Sequence, residues 1–288
     1  MPDHTPPDLA SLRVEIDRID DALHDLLMRR ADIVAHMAAS RVKGGAATFR
    51  PGREALILRR LLGRHRGALP RAALFRLWRE VIASSLAQQG NFSVAAVQGE
   101  QGADSPSARI ARAHFGLLTP LKLHATTNRA LASVGSGEAA VAVLPAPQDG
   151  EKPEAAWWTQ METPRLRIVA ALPFLAQPEQ SGNGADPGLA APAAYAVAAL
   201  VPDATGRDRS LLRIEPEPEQ SRARINAALT GVGLAPRWMI RRDAPTPMAL
   251  VEVEGFLAEE DPRLASLPFP RLQILGAYAE PEPEEDAR

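Results

Sequence analysis

The first third of the chain has the apolar periodicity of a long helix. Residues 9–40 contain neither proline nor glycine. Their apolar side chains recur in alternating steps of four and three, with one interruption: Leu12, Ile16, Ile19, Leu23, Leu26, Ile33 and Met37. This spacing predicts a helix with an apolar seam of the coiled-coil kind. The interrupted position is Arg30. Because one copy would leave this seam exposed, we expect a dimer through the first helix.

Proline and glycine mark two further helices. Pro51 begins the second, which runs to about His65, and the third follows Pro70 and ends at Gly90. One face of the third helix carries Leu74, Leu77, Trp78, Val81, Ile82, Ser85, Leu86 and Gln89. The sequence therefore predicts an all-helical unit over residues 1–92.

The pattern changes at Ser93 to short apolar runs that alternate with helical segments. This alternation predicts an α/β region with parallel strand pairing over residues 93–205, and a flexible loop at Gln177–Pro192. Residues 206–280 have the order βαββαβ, which is typical of a ferredoxin-like α+β unit. Residues 281–288 form an acidic tail, which we expect to be disordered. The predicted fold class is thus multidomain: all-α, then α/β, then α+β.

Composition excludes several classes of function. Cysteine is absent, which excludes disulfides, thiolate metal sites and a cysteine nucleophile. The six histidines show no metal-ligand spacing. No apolar run is long enough to span a membrane, and the first residues do not have the pattern of a secretory signal. We expect a cytoplasmic protein without a metal site or a membrane partner.

Charge is divided unevenly, with a net +5 over residues 1–92 and −7 over residues 93–288. Arginine outnumbers lysine by 30 to 3, which fits either bidentate binding of carboxylates and phosphates or a compositional bias of the genome. Four arginines of the second helix region could contact a nucleic-acid backbone, but an exposed helix face is the simpler interpretation: Arg59, Arg60, Arg64 and Arg66. We therefore expect no nucleic-acid partner.

Polar residues on the apolar helix faces point to a binding pocket. Each has a structural alternative, such as an exposed flank for Arg13, a snorkelling side chain for Arg30 or a surface pair for Arg53 and Glu54. One pocket explains all of them together, including Ser85 and Gln89 one turn apart on the third helix. No histidine or aspartate on that face could act as a base. Such a pocket would bind a small polyanion and stabilise charge without proton transfer.

Residues 9–89 resemble the all-helical chorismate mutases, especially the N-terminal domain of bifunctional chorismate mutase–prephenate dehydratases. The matching words are Leu12-Arg13-x-x-Ile16-x-x-Ile19-Asp20, Leu26-Leu27-x-Arg29-Arg30, Arg53-Glu54 and Ser85-x-x-x-Gln89. The resemblance implies rearrangement of chorismate to prephenate, which is a unimolecular [3,3] shift that needs no cofactor.

The resemblance also implies a role for each polar residue. Arg30, Arg53 and Arg13 of the second subunit of a homodimer would bind the substrate carboxylates, together with Ser85. Glu54 would bind the ring hydroxyl, and Gln89 would donate to the ether oxygen. The family's second donor, a lysine, falls on Arg41, with Lys43 as the alternative, and Arg50 replaces an aspartate found in some relatives.

The remainder of the chain resembles a prephenate dehydratase followed by an ACT domain. Where the dehydratase has a Thr-Arg-Phe word, this sequence has Ala193-Ala-Tyr195-Ala. The Gly-Ala-Leu and Glu-Ser-Arg-Pro words of phenylalanine-sensing ACT domains are missing too. We therefore expect no dehydration. A regulatory amino acid or another pathway enzyme is an open alternative as partner of this region, and a non-catalytic, ligand-binding homologue is the alternative to a mutase.

Overall fold

The computed structural model describes residues 8–41, 48–99, 102–161, 164–176 and 191–284, with the side chain of Arg41 outside that description. Three predictions fall outside these ranges in whole or in part: Lys43, most of the loop at Gln177–Pro192 and the last residues of the acidic tail. No described helix combines the length and the apolar character needed to cross a bilayer.

Three helices form the N-terminal part, as predicted. They are α1 (Leu9–Arg41), α2 (Pro51–Arg64) and α3 (Arg71–Gln88). Pro51 occupies the first turn of α2, where its missing N–H costs nothing. Among the described elements, only α3 packs closely against α1. Most of the apolar seam of α1 is exposed.

The α/β part that follows builds one half of a large sheet. Its elements are β1 (Val94–Val97), α4 (Pro106–Phe115), β2 (Leu121–His124), α5 (Thr127–Gly135), β3 (Val141–Pro145), β4 (Arg167–Leu172), β5 (Leu175–Ala176) and β6 (Ala194–Ala198). The first three strands are parallel, as expected. The prediction of parallel pairing is wrong for β6, which runs antiparallel to β3 and β4.

The C-terminal part has the predicted βαββαβ order. Its elements are β7 (Asp208–Glu215), α6 (Arg222–Gly231), β8 (Pro236–Arg242), β9 (Met248–Glu254), α7 (Pro262–Ala265), β10 (Arg271–Ala279) and the short β11 (Glu282–Pro283). The Asp261 side chain caps α7 by accepting a hydrogen bond from the backbone N–H of Arg263.

The two parts share one nine-stranded sheet, in the order β2-β1-β3-β6-β4-β10-β7-β9-β8. They join where Gly276 of β10 pairs with Ile168 of β4. A Cβ atom at position 276 would lie 2.1 Å from the carbonyl oxygen of Ile168, so only glycine permits this approach. The predicted boundary between residues 205 and 206 thus lies between two strands of the same sheet.

The helical part packs on this sheet through α2 and α3. Leu58 and Ile82 form one buried cluster with Phe174 and Ala279. Leu86 of α3 belongs to a second cluster, which includes α4 and one face of the sheet. The helical part and the sheet therefore share their core, and α2 and α3 have a fixed position on the sheet.

The start of the acidic tail is ordered, contrary to expectation. β11 pairs with β5, and Glu282 accepts a hydrogen bond from Nε of Arg59 at 2.8 Å. The prediction that Arg59 belongs to an exposed helix face is also wrong, because it lies largely buried between α2 and the C-terminal segment. An amphipathic pattern could not reveal either contact, since Arg59 and Glu282 are 223 residues apart and the paired residues Leu175 and Glu282 are also remote in sequence.

Candidate active site

The three helices enclose a cavity of about 610 Å³. All three helices contribute polar residues to its lining. Arg29 and Arg30 belong to α1, Arg53 and Glu54 to α2, and Ser85 to α3. Thr48 and Arg50 lie just before α2, and Gln89 lies just after α3. Five of the seven predicted site residues therefore lie around one space: Arg30, Arg53, Glu54, Ser85 and Gln89.

Arg30 crosses from α1 to α3. Its Nη1 donates to Oγ of Ser85 at 2.5 Å and lies 3.5 Å from the carbonyl oxygen of Val81. Burial lowers the pKa of Arg30, but a guanidinium stays charged in proteins. The seam position that looked anomalous in the sequence thus presents a half-buried cation to the cavity.

Ser85 and Gln89 are fixed by their own helix. Oγ of Ser85 donates to the carbonyl oxygen of Val81 at 2.7 Å, one turn earlier. Nε2 of Gln89 donates to the carbonyl oxygen of Ser85 at 2.8 Å. Gln89 stands at the C-cap of α3, so its side chain reaches the rim of the cavity.

Glu54 is the carboxylate of the site, and it is buried. Its Oε2 accepts a hydrogen bond from Nη1 of Arg79 at 3.0 Å, while Oε1 makes no hydrogen bond within the described part of the chain. Burial raises the pKa of Glu54, and the charge and the hydrogen bond of Arg79 oppose that rise. Arg53, the neighbour of Glu54 on the same helix, is exposed and lines the cavity.

The other two predicted residues are not placed in the cavity of a single chain. Arg13 lies on the exposed N-terminal part of α1, remote from the cavity-lining residues of its own chain. Arg41 is the last residue of α1, and its side chain is outside the description. Their roles remain predictions.

Sequence reasoning missed Arg79 and the side-chain contact of Arg50. Arg79 interrupts an apolar stripe of α3 between Phe75 and Leu86, which is the same signal that singled out Arg30. Arg50 binds Asp203 of the α/β part at 2.9 Å and 3.2 Å. No local pattern could identify this pair, because its members are far apart in sequence.

Residues 12–90 match the family described as chorismate mutase type II. The N-terminal part of the chain is thus a chorismate mutase type II domain. A bifunctional chorismate mutase/prephenate dehydratase of Stutzerimonas stutzeri is 33% identical over 142 residues, which are 48% of this chain and 38% of that protein. One of Neisseria gonorrhoeae is 39% identical over 104 residues, or 36% of this chain and 27% of that protein. The chain matches well under half of the length of these curated relatives.

A solved prephenate dehydratase in complex with L-Phe, from Arthrobacter aurescens, aligns with 68% of this chain and 92% of its own, at a TM-score of 0.45 and 16% identity.

Proposed function

We propose that the protein is a chorismate mutase, which converts chorismate to prephenate by an electrostatically assisted [3,3] rearrangement in the biosynthesis of phenylalanine and tyrosine. The observation that carries the proposal is the cavity in which Arg30, Arg53, Glu54, Ser85 and Gln89 meet. Four arginines and one glutamate line it, which matches a small substrate with two carboxylates and a hydroxyl.

The arginines and Ser85 bind the substrate. Arg30 lies half-buried, so its attraction for a carboxylate is less screened than that of a surface cation. Ser85 is in contact with Arg30, and its hydroxyl would donate to the same carboxylate once it turns from the carbonyl oxygen of Val81. Arg53 supplies a second cation at the cavity wall. Binding holds the two carbon atoms that form the new bond close together. Part of the entropy cost of reaching the transition state is therefore met when the substrate binds.

Glu54 and Gln89 act on the reacting ring and the ether bridge. Glu54 accepts a hydrogen bond from the ring hydroxyl through the oxygen that Arg79 leaves unpaired. As the ether C–O bond breaks and the new C–C bond forms, negative charge develops on the ether oxygen. Gln89 donates to that oxygen, and Arg41 is the proposed second donor. No proton is transferred, and no cofactor is required.

A homodimer through α1 completes the proposal. The seam residues Leu26, Ile33 and Met37 line the cavity and are also exposed. A second α1 laid along the seam would bury them and bring Arg13 of the second subunit to the cavity. Burial of an apolar stripe of this length is a sufficient driving force for association.

The C-terminal region is proposed to lack dehydratase activity. The strand that would carry the Thr-Arg-Phe word is β6, where Ala194, Tyr195 and Ala196 are fully buried and offer no cation. A regulatory amino acid or a pathway enzyme stays an open partner of this region, and the cytoplasmic location stays a prediction.

The test is the loss of chorismate absorbance with the appearance of prephenate. Arg30→Ala should abolish most turnover, whereas Arg60→Ala, an exposed arginine of α2, should not change it. Mixing Arg13→Ala with Arg30→Ala subunits should restore part of the activity, because one pocket of the mixed dimer has both arginines. Binding of chorismate without turnover by the wild type would instead establish the non-catalytic homologue. Phenylpyruvate formed from prephenate above the uncatalysed rate would contradict the loss of dehydratase activity.

A further inference from the structure

We propose that Arg79 is a positioning residue of this site, which holds the Glu54 carboxylate ionised and oriented and is itself held by α4 of the α/β part. The inference rests on the mutase function proposed above. Through Arg79, the α/β part of the chain would position a side chain in the cavity of the helical part.

The geometry around Arg79 links two helix ends. The side chain is 1% exposed, and its Nη1 donates to Oε2 of Glu54 at 3.0 Å. Its Nε donates to the carbonyl oxygen of His114. Glu54 lies in the first turn of α2, where the helix dipole is positive, and His114 in the last turn of α4, where it is negative. The guanidinium therefore bridges the carbonyl end of one helix and the carboxylate at the start of another.

The end of α4, which holds Arg79, packs closely against α3. A Cβ atom at Gly116 would lie 2.7 Å from Cβ of Ala83, which is too close for a side chain. The end of α4 therefore lies directly against α3 at this point. Oε1 of Glu80, the neighbour of Arg79, accepts a hydrogen bond from the backbone N–H of Leu117 at 3.1 Å. These contacts fix the position of Arg79 relative to the sheet.

The ion pair of Glu54 and Arg79 leaves one polar atom of each side chain without a hydrogen bond in the described part of the chain. Oε1 of Glu54 and Nη2 of Arg79 are buried and make no hydrogen bond to any residue that the structure describes. A pair that served only to fill the core would be expected to satisfy both groups, because each unpaired buried polar atom costs free energy. A hydroxyl of a bound substrate would supply the donor that Oε1 lacks.

Arg79 is the cation hydrogen-bonded to Glu54, although other charged groups are near. Arg29, Arg30, Arg50 and Arg53 line the same cavity as the carboxylate. His114 lies on the α4 side, where burial and the charge of Arg79 keep its pKa well below the usual range, so it is neutral. Burial alone raises the pKa of Glu54, and Arg79 lowers it. Removing Arg79 should therefore favour the protonated form of Glu54. A protonated carboxyl accepts a hydrogen bond from a hydroxyl more weakly than an ionised carboxylate does.

Carbon-13 NMR of glutamate side-chain carboxyls tests the inference without turnover. The Glu54 signal, assigned by its loss in Glu54→Gln, should show a carboxylate at pH 7 in the wild type. In Arg79→Met it should titrate at a higher pH, while Arg76→Met, an exposed arginine on the same helix, should leave it unchanged. A protonated Glu54 in the wild type at pH 7, or the same titration in Arg79→Met, would overturn the inference whatever the enzyme catalyses.

Kinetics then distinguish positioning from a structural role. Arg79→Met should lower kcat/KM about tenfold to a hundredfold, and more at low pH, as expected for loss of one charged hydrogen bond. In the Glu54→Gln background the same change should have little further effect, because Arg79 acts through Glu54. The double variant leaves no unpaired buried charge, so it should fold even where Arg79→Met does not. Additive losses would mean that Arg79 only stabilises the fold. A wild type without mutase activity would refute the proposed function and leave the NMR result standing.

Discussion

Replacing Arg59 by methionine should loosen α2 from the C-terminal part of the chain. Arg59 makes four hydrogen bonds, to Oε1 of Glu282 at 2.8 Å, Oγ1 of Thr205 at 2.8 Å, and the carbonyl oxygens of Arg207 at 2.9 Å and Glu280 at 2.6 Å. Its guanidinium carbon also lies 5.9 Å from the ring centre of Phe174. Methionine keeps the apolar stem and removes every polar contact.

The expected cost follows from what remains after the change. Glu282 keeps an ion pair with Arg207, and Thr205 keeps its hydrogen bond to Asp208, so neither is left unpaired. The carbonyl oxygen of Glu280 loses its donor. A charged hydrogen bond contributes about 1.5–3 kcal/mol, and contacts of one group are not additive. We therefore expect a loss of about 3 kcal/mol in the free energy of unfolding, or roughly 5–10 °C in Tm.

Thermal and urea unfolding of Arg59→Met measure this loss, with Arg60→Met as the matched control. Arg60 is the next residue on the same helix and is exposed, so its replacement should change Tm by less than about 1–2 °C. Glu282→Gln should be milder than Arg59→Met, and the double variant should cost less than the sum of the two. Equal stabilities of Arg59→Met and Arg60→Met would refute the reasoning that the C-terminal segment holds α2.

Three other changes test the fold and the site. Gly276→Ala should separate β4 from β10, because its Cβ would overlap the carbonyl oxygen of Ile168. Urea unfolding should show a loss of roughly 3 kcal/mol or more in the free energy of unfolding, and an unchanged value would contradict the close approach. His114 is neutral in the folded protein because its pKa lies well below the usual value, so the unfolded chain binds the extra proton and stability should fall by up to about 1.4 kcal/mol per pH unit below about pH 6.5. His114→Gln should remove that slope and the exposed His24→Gln should not, which urea unfolding at pH 6.5 and 5.0 would decide. Gln89→Glu should be a poor mutase at pH 8 and recover towards pH 5, because only the protonated acid can donate to the ether oxygen; a flat kcat/KM profile at the wild-type level would show that Gln89 does not face the substrate.

The helical part was the most predictable from sequence. Its apolar positions recur with the period of a helix, and Pro51 and Gly90 mark helix ends, so the three helices follow from local rules. Arg30, Ser85 and Gln89 stood out because a polar side chain on an apolar face needs a partner. All three residues line the same cavity.

The sequence by itself thus determined the three helices, the order of elements in the C-terminal part and five residues of the cavity lining, because each rests on periodicity or on a local anomaly. Only the tertiary structure decided how these parts meet. The pairs Arg59–Glu282, Arg50–Asp203 and Arg79–Glu54 join residues from different elements, and the sequence does not indicate which residue binds which. The single nine-stranded sheet depends on the close pairing of Gly276 with Ile168, and the antiparallel direction of β6 appears only in its pairing with β3 and β4. Long-range contacts of this kind have no period and no fixed spacing, so only the folded chain identifies their partners.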